Sequence, residues 1–402
     1  LKSDLFAARS ENEVQFFEEG EVYYSTFLQK IRSAQQVIHL QTYIFEMDKF
    51  GSIVKEELIQ ASLRGVKVYL LVDGIGSKNL DDLIANEFMQ AGVFYCKFSQ
   101  VNFTNWVGIW SRRLHHKILL ADGEAFVGGI NVISETYTLN EVAPQLDFAV
   151  LLKGPIIQSL RVYCELIFSQ TYSKSVKFDP MPAFQDRLSA VTTTKISVND
   201  WFIWRSQITK QYKNLVASAE KDIVIINSYF FPRKKFMKQL VKAAKRGVRV
   251  RLILAKYSDW PSYVLATQYL YQYFLKNGVE IYQWNKSILH GKLATVDDKT
   301  VTIGSFNLNY TSYRHNLEMN VDLFSKEFTK NLNEKIENWI TNSCEKIDAD
   351  VFIEKATFKK RVAQLFFYLV LSLVANFSNA LMFRKKKQDK NEDNKSTADT
   401  YT

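Results

Sequence analysis

Cysteine is scarce and scattered. The three in 402 residues, Cys96, Cys164 and Cys344, form no C-x-x-C pair. That excludes a disulfide framework and a thiolate zinc site, and it suits a reducing compartment. No His/Cys cluster with metal-ligand spacing is present either, so no metal and no other cofactor is expected. A disorder-type composition is also missing: hydrophobic residues make up 47% and charged residues 23%. This is the profile of a globular chain, long enough for two domains that each bury a core. Acidic excess is absent as well. The formal charge of +10 favours anionic partners, either nucleic acid or an acidic membrane surface, and does not choose between them.

What the chain does contain is an internal repeat. "RLHHKILLADGEAFVGGIN" (Arg113 to Asn131) is echoed by "LHGKLATVDDKTVTIGSFN" (Leu289 to Asn307). His115, Lys117 and Asp122 match His290, Lys292 and Asp297 at a constant offset of 175, and Asn131 matches Asn307 at 176. Upstream, "IVKEELIQASLRGVKVYLLVDG" parallels "FMKQLVKAAKRGVRVRLILA": apolar residues at helical spacing, then Arg-Gly, then a β-branched run. That pattern reads as helix, glycine stop and buried strand. Earlier strand-like runs, "VIHLQTYIF" and "IVIINSYFF", complete two βαβ lobes. The expected fold is therefore α/β, with mixed sheets flanked by helices on both faces. The expected division is a first lobe over 1–172, a linker over 173–195, a second lobe over 196–350, a membrane-associating segment over 351–383 and a charged, solvated tail over 384–402.

On a strand, alternate side chains share a face, so His115 and Lys117 point one way and His116 the other. The second copy has Gly291 at the position of His116, which assigns the recurring role to His115. A lone His-x-Lys would read as a solvated strand face. Two copies, each followed by Asp and then by Gly-[Gly/Ser]-x-Asn, read as chemistry. Two histidines facing across a pseudo-twofold axis can divide a substitution at phosphorus: one attacks, the other protonates the leaving alkoxide. Lys117 and Lys292 would hold the non-bridging oxygens, with Asn131 and Asn307 as neutral donors. Each histidine also needs a carboxylate to set its tautomer. Asp147 in "QLDFAV" and Glu318 in "NLEMNV" form a matched pair, 32 and 28 residues after their histidines. Asp122 and Asp297 complete the repeated motif and are grouped by it with His115, Lys117, His290 and Lys292 as the candidate catalytic set, although they sit at a turn, where carboxylates bond local backbone and a structural role is expected.

These motifs resemble the phospholipase D superfamily and, within it, the bacterial cardiolipin synthases that lack paired N-terminal membrane spans. The resemblance covers about residues 13–345. It implies two homologous lobes with one active site between them, and phosphatidyl transfer through a phosphohistidine intermediate. It further implies His115 as nucleophile, His290 as acid and then base, Glu318 orienting His115 and Asp147 orienting His290. Phosphatidylglycerol is the implied substrate, both as acceptor and as donor. One departure is the turn after Asp122, a residue shorter than the family pattern.

Two segments suggest where lipid is met. The insert "SQVNFTNWVGIWSRR" (Ser99 to Arg113) sets Phe103, Trp106 and Trp110 beside arginines, as at a membrane interface. From Val362 to Phe383 there is no charge, with basic residues on both sides. Gln364, Tyr368, Ser372, Asn376 and Asn379 form one polar stripe along it, which suits a helix lying in the plane of the interface. The expectation is an enzyme at the bacterial inner membrane, held peripherally by this segment, on the cytoplasmic face. The alternatives are a hydrolase of the same superfamily, a phospholipase or nuclease, and a non-catalytic membrane scaffold. The tail and the whole-chain resemblance favour lipid over nucleic acid, and two intact motifs disfavour the scaffold.

Overall fold

A computed structural model describes residues 6–99, 112–133, 145–180, 191–200, 205–355 and 357–375. Most of the aromatic insert, the end of the uncharged segment and the charged tail lie outside these residues.

The chain forms two lobes with the same sheet order. In the first, neighbouring strands run Arg9–Glu18, Phe148–Lys153, Glu124–Gly128, Lys117–Ala121, Val37–Thr42, Lys67–Asp73 and Phe94–Phe98. In the second they run Thr192–Asp200, Asn316–Phe324, Thr300–Gly304, Lys292–Val296, Asp222–Asn227, Arg249–Ala255 and Glu280–Trp284. The second lobe adds Cys344–Lys346 at its edge. Both sheets are mixed: parallel where helices cross over, antiparallel where hairpins connect. The strand Thr192–Asp200 begins inside the stretch read as linker and pairs with Arg9–Glu18, which joins the two sheets.

The repeated Arg-Gly element has a plain physical reason. Helix Lys49–Leu63 ends at Gly65 (φ 92°) and helix Lys234–Lys245 at Gly247 (φ 90°). Only glycine adopts this left-handed turn without strain, and the chain then drops directly into the next strand.

Apolar side chains gather in three clusters. A central one lies between the sheets and includes Leu160, Tyr163, Ile167 and Phe168 of helix Ile156–Thr171, with Ile336 and Trp339 of helix Lys326–Ser343. Each outer face carries its own cluster under the remaining helices. With both faces covered, the inner strands are buried throughout, as in Val37–Thr42 and Lys117–Ala121.

Residues 358–375 are helical. Two residues of the polar stripe turn inward: Gln364 bonds Gln268 at 3.1 Å, and the Tyr368 ring packs at a tilt against Tyr269 (4.4 Å) and Phe231 (5.5 Å), while Asn376 and Asn379 lie outside the described residues. Phe358, Val362, Phe366, Leu369 and Leu373 are left exposed. The helix therefore presents an apolar face outward, a patch that a soluble surface rarely carries. Among the described residues no helix is long and apolar enough to cross a membrane.

Candidate active site

Short parallel bridges between the lobes build the site. Arg113–Leu114 pairs in parallel with Asn316 and Leu317, and Leu289 with Leu146. Each bridge carries a histidine next to an acid of the other lobe. The amides of His115 and His116 both donate to Leu317 O, and those of His290 and Gly291 both donate to Leu146 O. The side chains follow. His115 Nδ1 lies 2.9 Å from Glu318 Oε2, and His290 Nδ1 lies 2.6 Å from Asp147 Oδ2. Both acids are buried, whereas the histidine side chains keep 12% and 18% of their surface exposed. With Nδ1 engaged, Nε2 is the atom of each ring left for substrate.

Lys117 Nζ donates to His115 O at 2.6 Å, and Lys292 Nζ donates to His290 O. The same atoms bind the backbone of the histidine they serve, which keeps both ammonium groups at the centre. Burial and the neighbouring Lys292 push the Lys117 ammonium down to about 7. Lys292 is lowered mainly by burial, against the pull of Asp147 and Glu318. Burial likewise brings His115 down to about 4, despite Glu318, with both lysines adding to the shift. His290 is lowered by burial and by Lys292, against Asp147. Burial alone would raise both acids. For Glu318 the His115 charge and hydrogen bond, with Lys117 and Ser305, outweigh it; for Asp147 the outweighing groups are Lys292, His290 and the Phe148 amide. A Lys117 ammonium disfavoured by burial and by the neighbouring Lys292 is favoured again by an anion beside it, which is what a phosphodiester would supply.

The remaining sequence-derived residues sort by distance from this centre. Asn131 accepts from the Ile44 amide (3.2 Å) and Asn307 from Ser228 Oγ (3.0 Å), which leaves each carboxamide nitrogen as a donor. Asp122 and Asp297 correct the motif-based grouping with the catalytic set. They stand at the far ends of strands Lys117–Ala121 and Lys292–Val296. Asp122 accepts from the amides of Gln35, Gln36 and Val37 at 2.8–3.0 Å, and Asp297 from those of Glu220, Lys221 and Asp222 at 2.7–3.0 Å. Their carboxylates tie the hairpin to the start of the neighbouring strand and so hold in register the strand that begins at each site lysine, two residues after the histidine. His116 points into the core, where its Nε2 meets Gln41 Oε1 at 2.8 Å and burial pushes its pKa down to about 3. At the matching position a side chain is excluded: a Cβ on Gly291 would lie 2.3 Å from the Phe148 ring.

Several site residues were not singled out from the sequence. Tyr43 sits with its ring 5.0 Å from that of His115 and 5.3 Å from Lys117 Nζ. Tyr229 stands edge-on to His290 at 6.2 Å. A signal existed, since both tyrosines occupy the same place in the runs "QTYIF" and "NSYFF". Asn316 Nδ2 donates to Glu318 Oε1 (3.0 Å), and Ser305 Oγ donates to Glu318 Oε2. Asp73 binds the Leu114 amide (2.9 Å) and thereby positions the bridge before His115.

Two lobes that close one His-Lys pair each around a shared anion site define a phospholipase D-like phosphotransfer fold. The family described as "Cardiolipin synthase, PLD-like domain" matches residues 27–152 and 212–340. Cardiolipin synthase B of Shigella flexneri is 33% identical over 344 residues, 85% of this chain and 83% of the relative. Cardiolipin synthase 1 of Staphylococcus aureus (strain MRSA252) is 28% identical over 83% of this chain and 68% of its own length. The crystal structure of phosphatidylserine synthase from Haemophilus influenzae Rd KW20 superposes with a TM-score of 0.67 at 13% identity, covering 94% of this chain and 96% of that one; it shares the fold. The chain belongs to the cardiolipin synthase family of phospholipase D-like enzymes, and it is a phosphatidyltransferase.

Proposed function

We propose that the enzyme joins two molecules of phosphatidylglycerol into cardiolipin and glycerol, through a phosphohistidine on His115. The observation that carries this reading is the pair of histidines, each held at Nδ1 by an acid of the opposite lobe, with a lysine on the backbone carbonyl of each. Neutral His115 attacks the donor's phosphorus through Nε2 while its Nδ1–H stays bonded to Glu318. The phosphorus–oxygen bond to the headgroup glycerol breaks, and His290 delivers its proton to that oxygen. Lys117 and Lys292 balance the charge that builds on the non-bridging oxygens, with the carboxamides of Asn131 and Asn307 as further donors. Glycerol leaves. A hydroxyl of the second phosphatidylglycerol then gives its proton to His290 and attacks phosphorus, and the phosphorus–nitrogen bond to His115 breaks. The anionic phosphate itself favours protonated His290, whose charge the empty site disfavours.

The reaction runs at the surface of the bacterial plasma membrane, with the outward apolar face of residues 358–375 resting in the interface. Supporting this are the inward polar stripe, the exposed Leu and Phe side chains and the flanking Lys359, Lys360 and Arg361. Flotation with anionic vesicles should weaken when Leu365, Leu369 and Leu373 are changed to Asp; undiminished flotation would remove this face from the membrane contact. The deciding test for the reaction is purified protein with labelled phosphatidylglycerol in detergent. Cardiolipin with glycerol is the expected product pair, whereas phosphatidic acid alone would make the enzyme a hydrolase.

A further inference from the structure

The two half-sites differ at their rims. Both carry a tyrosine against the histidine, but only the second has a carboxylate on the tyrosine hydroxyl among the described residues. Asp259 Oδ1 accepts from Tyr229 OH (2.5 Å) and from Ser258 Oγ (2.9 Å), and Asp259 is exposed. Its negative charge reaches Lys292, and Tyr229 is edge-on to His290. In the first lobe the carboxylate nearest in the chain, Asp73, is the last residue of the equivalent strand and is fully buried. It is consumed by the amides of Ile75, Gly76 and Leu114 and by the guanidinium of Arg113 at 3.4 Å. Asp73 therefore holds backbone, while Asp259 faces whatever enters beside His290.

A carboxylate at the rim of a lysine-lined phosphate site does not serve the phosphate, which it repels. It serves a hydrogen-bond donor that arrives with the phosphate. His290 exchanges protons with both alcohols of the reaction, the one that leaves and the one that enters, so both pass this rim. Resting on the proposed reading, we infer that Asp259 and Tyr229 form a headgroup subsite for alcohols with a donor on the carbon next to the reacting one. A vicinal diol such as glycerol has this chemistry, and so does an amino alcohol such as ethanolamine. The tyrosine hydroxyl fixes one carboxylate oxygen, and the other takes the donor.

Soluble acceptors test this without a lipid surface. With phosphatidylglycerol as donor in detergent, incorporation into phospholipid is measured for radiolabelled glycerol, for radiolabelled ethanolamine at neutral pH and for radiolabelled 1-propanol, and the ratios of kcat/KM are compared. Wild-type enzyme should prefer glycerol to 1-propanol by about tenfold, the size expected of one hydrogen bond to a charged group. In Asp259→Asn that ratio should collapse towards one, and Tyr229→Phe should lower it several-fold. Ratios within one enzyme cancel general damage, and either variant suffices if the other does not fold. Collapse of the ethanolamine ratio alone would identify the donor group as the ammonium of an amino-alcohol headgroup. Ratios within twofold of wild type for both alcohols in both variants would overturn the subsite. Phosphatidic acid as sole product of the wild type would instead overturn the transferase reading and the subsite with it.

Discussion

The two halves of the site share a sheet order and a motif, but they are not equivalent. His115 meets a glutamate at 2.9 Å that is also held by Ser305 and Asn316. His290 meets an aspartate at 2.6 Å whose other oxygen takes the Phe148 amide at 2.8 Å. A carboxylate shared among three donors stabilises an imidazolium less than one engaged by the histidine and a single amide. The first half is therefore suited to a neutral nucleophile, the second to an acid that carries and returns a proton. Duplication built the scaffold twice, and a few side chains, Ser305 against Gly129 among them, divided the labour.

The largest expected effect separates the two histidines. Both His115→Ala and His290→Ala should lower turnover by roughly 10³-fold or more, as loss of a nucleophile or its proton partner does. With a p-nitrophenyl phosphatidyl donor, whose leaving group needs no proton, His290→Ala should keep a burst of p-nitrophenol and His115→Ala should show none. A burst in the reverse pattern would exchange the two roles.

Next come the carboxylates. Asp147→Asn and Glu318→Gln should each cost about 10²- to 10⁴-fold in kcat, because the tautomer and orientation of the ring are lost. If the halves divide labour as argued, Asp147→Asn suffers more with phosphatidylglycerol than with the p-nitrophenyl donor, whereas Glu318→Gln suffers equally with both.

Glycine and serine behind the acids give a sharper contrast. A Cβ on Gly129 would lie 2.3 Å from Asp147 Oδ1, so Gly129→Ser should displace that carboxylate and cost roughly 10²-fold. Ser305→Gly removes only one of three donors on Glu318, and a loss of a few-fold is expected. Equal losses would mean that the two positions are interchangeable.

The pH profile follows from the lysines. Lys117 is held at about 7 in the empty site, so its ammonium form is lost as pH rises through that value. kcat/KM, which reports the free enzyme, should fall above about pH 7. The limb in kcat should lie higher, because bound phosphodiester favours the ammonium. Lys117→Arg, always charged, should move the kcat/KM limb upward, and an unmoved limb would assign it to another group. The smallest effect on turnover belongs to His116→Ala, expected to stay within a few-fold of wild type. It should lose about 1–3 kcal/mol of stability in denaturant unfolding, as buried, hydrogen-bonded side chains do on truncation.

Much of this was legible in the residues. The repeat and the demotion of His116 follow from a second copy to compare, whereas the strand expected through His115 is interrupted: His115 and His116 lie between strands Arg113–Leu114 and Lys117–Ala121, and both their amides donate to Leu317 O. The inward polar stripe was visible as a stripe, but not its direction. Helical periodicity says which side chains share a face, and only Gln268, Tyr269 and Phe231 decide that the polar face is the one covered. The tyrosines beside the histidines did leave a signal, the same place in two matched runs, but recurrence alone does not separate a site tyrosine from a repeated core aromatic.

The sequence by itself determined which side chains are candidates for the site, because a duplicated motif can be read directly along the chain. Which acid meets which histidine was implied by the family resemblance but by no local pattern, and the tertiary structure shows the contact. Residues 115 and 318 meet through a parallel bridge between lobes, as do 290 and 147. No local period encodes a contact between segments so far apart in the chain. It exists only once both sheets have folded and their shared core has brought them edge to edge.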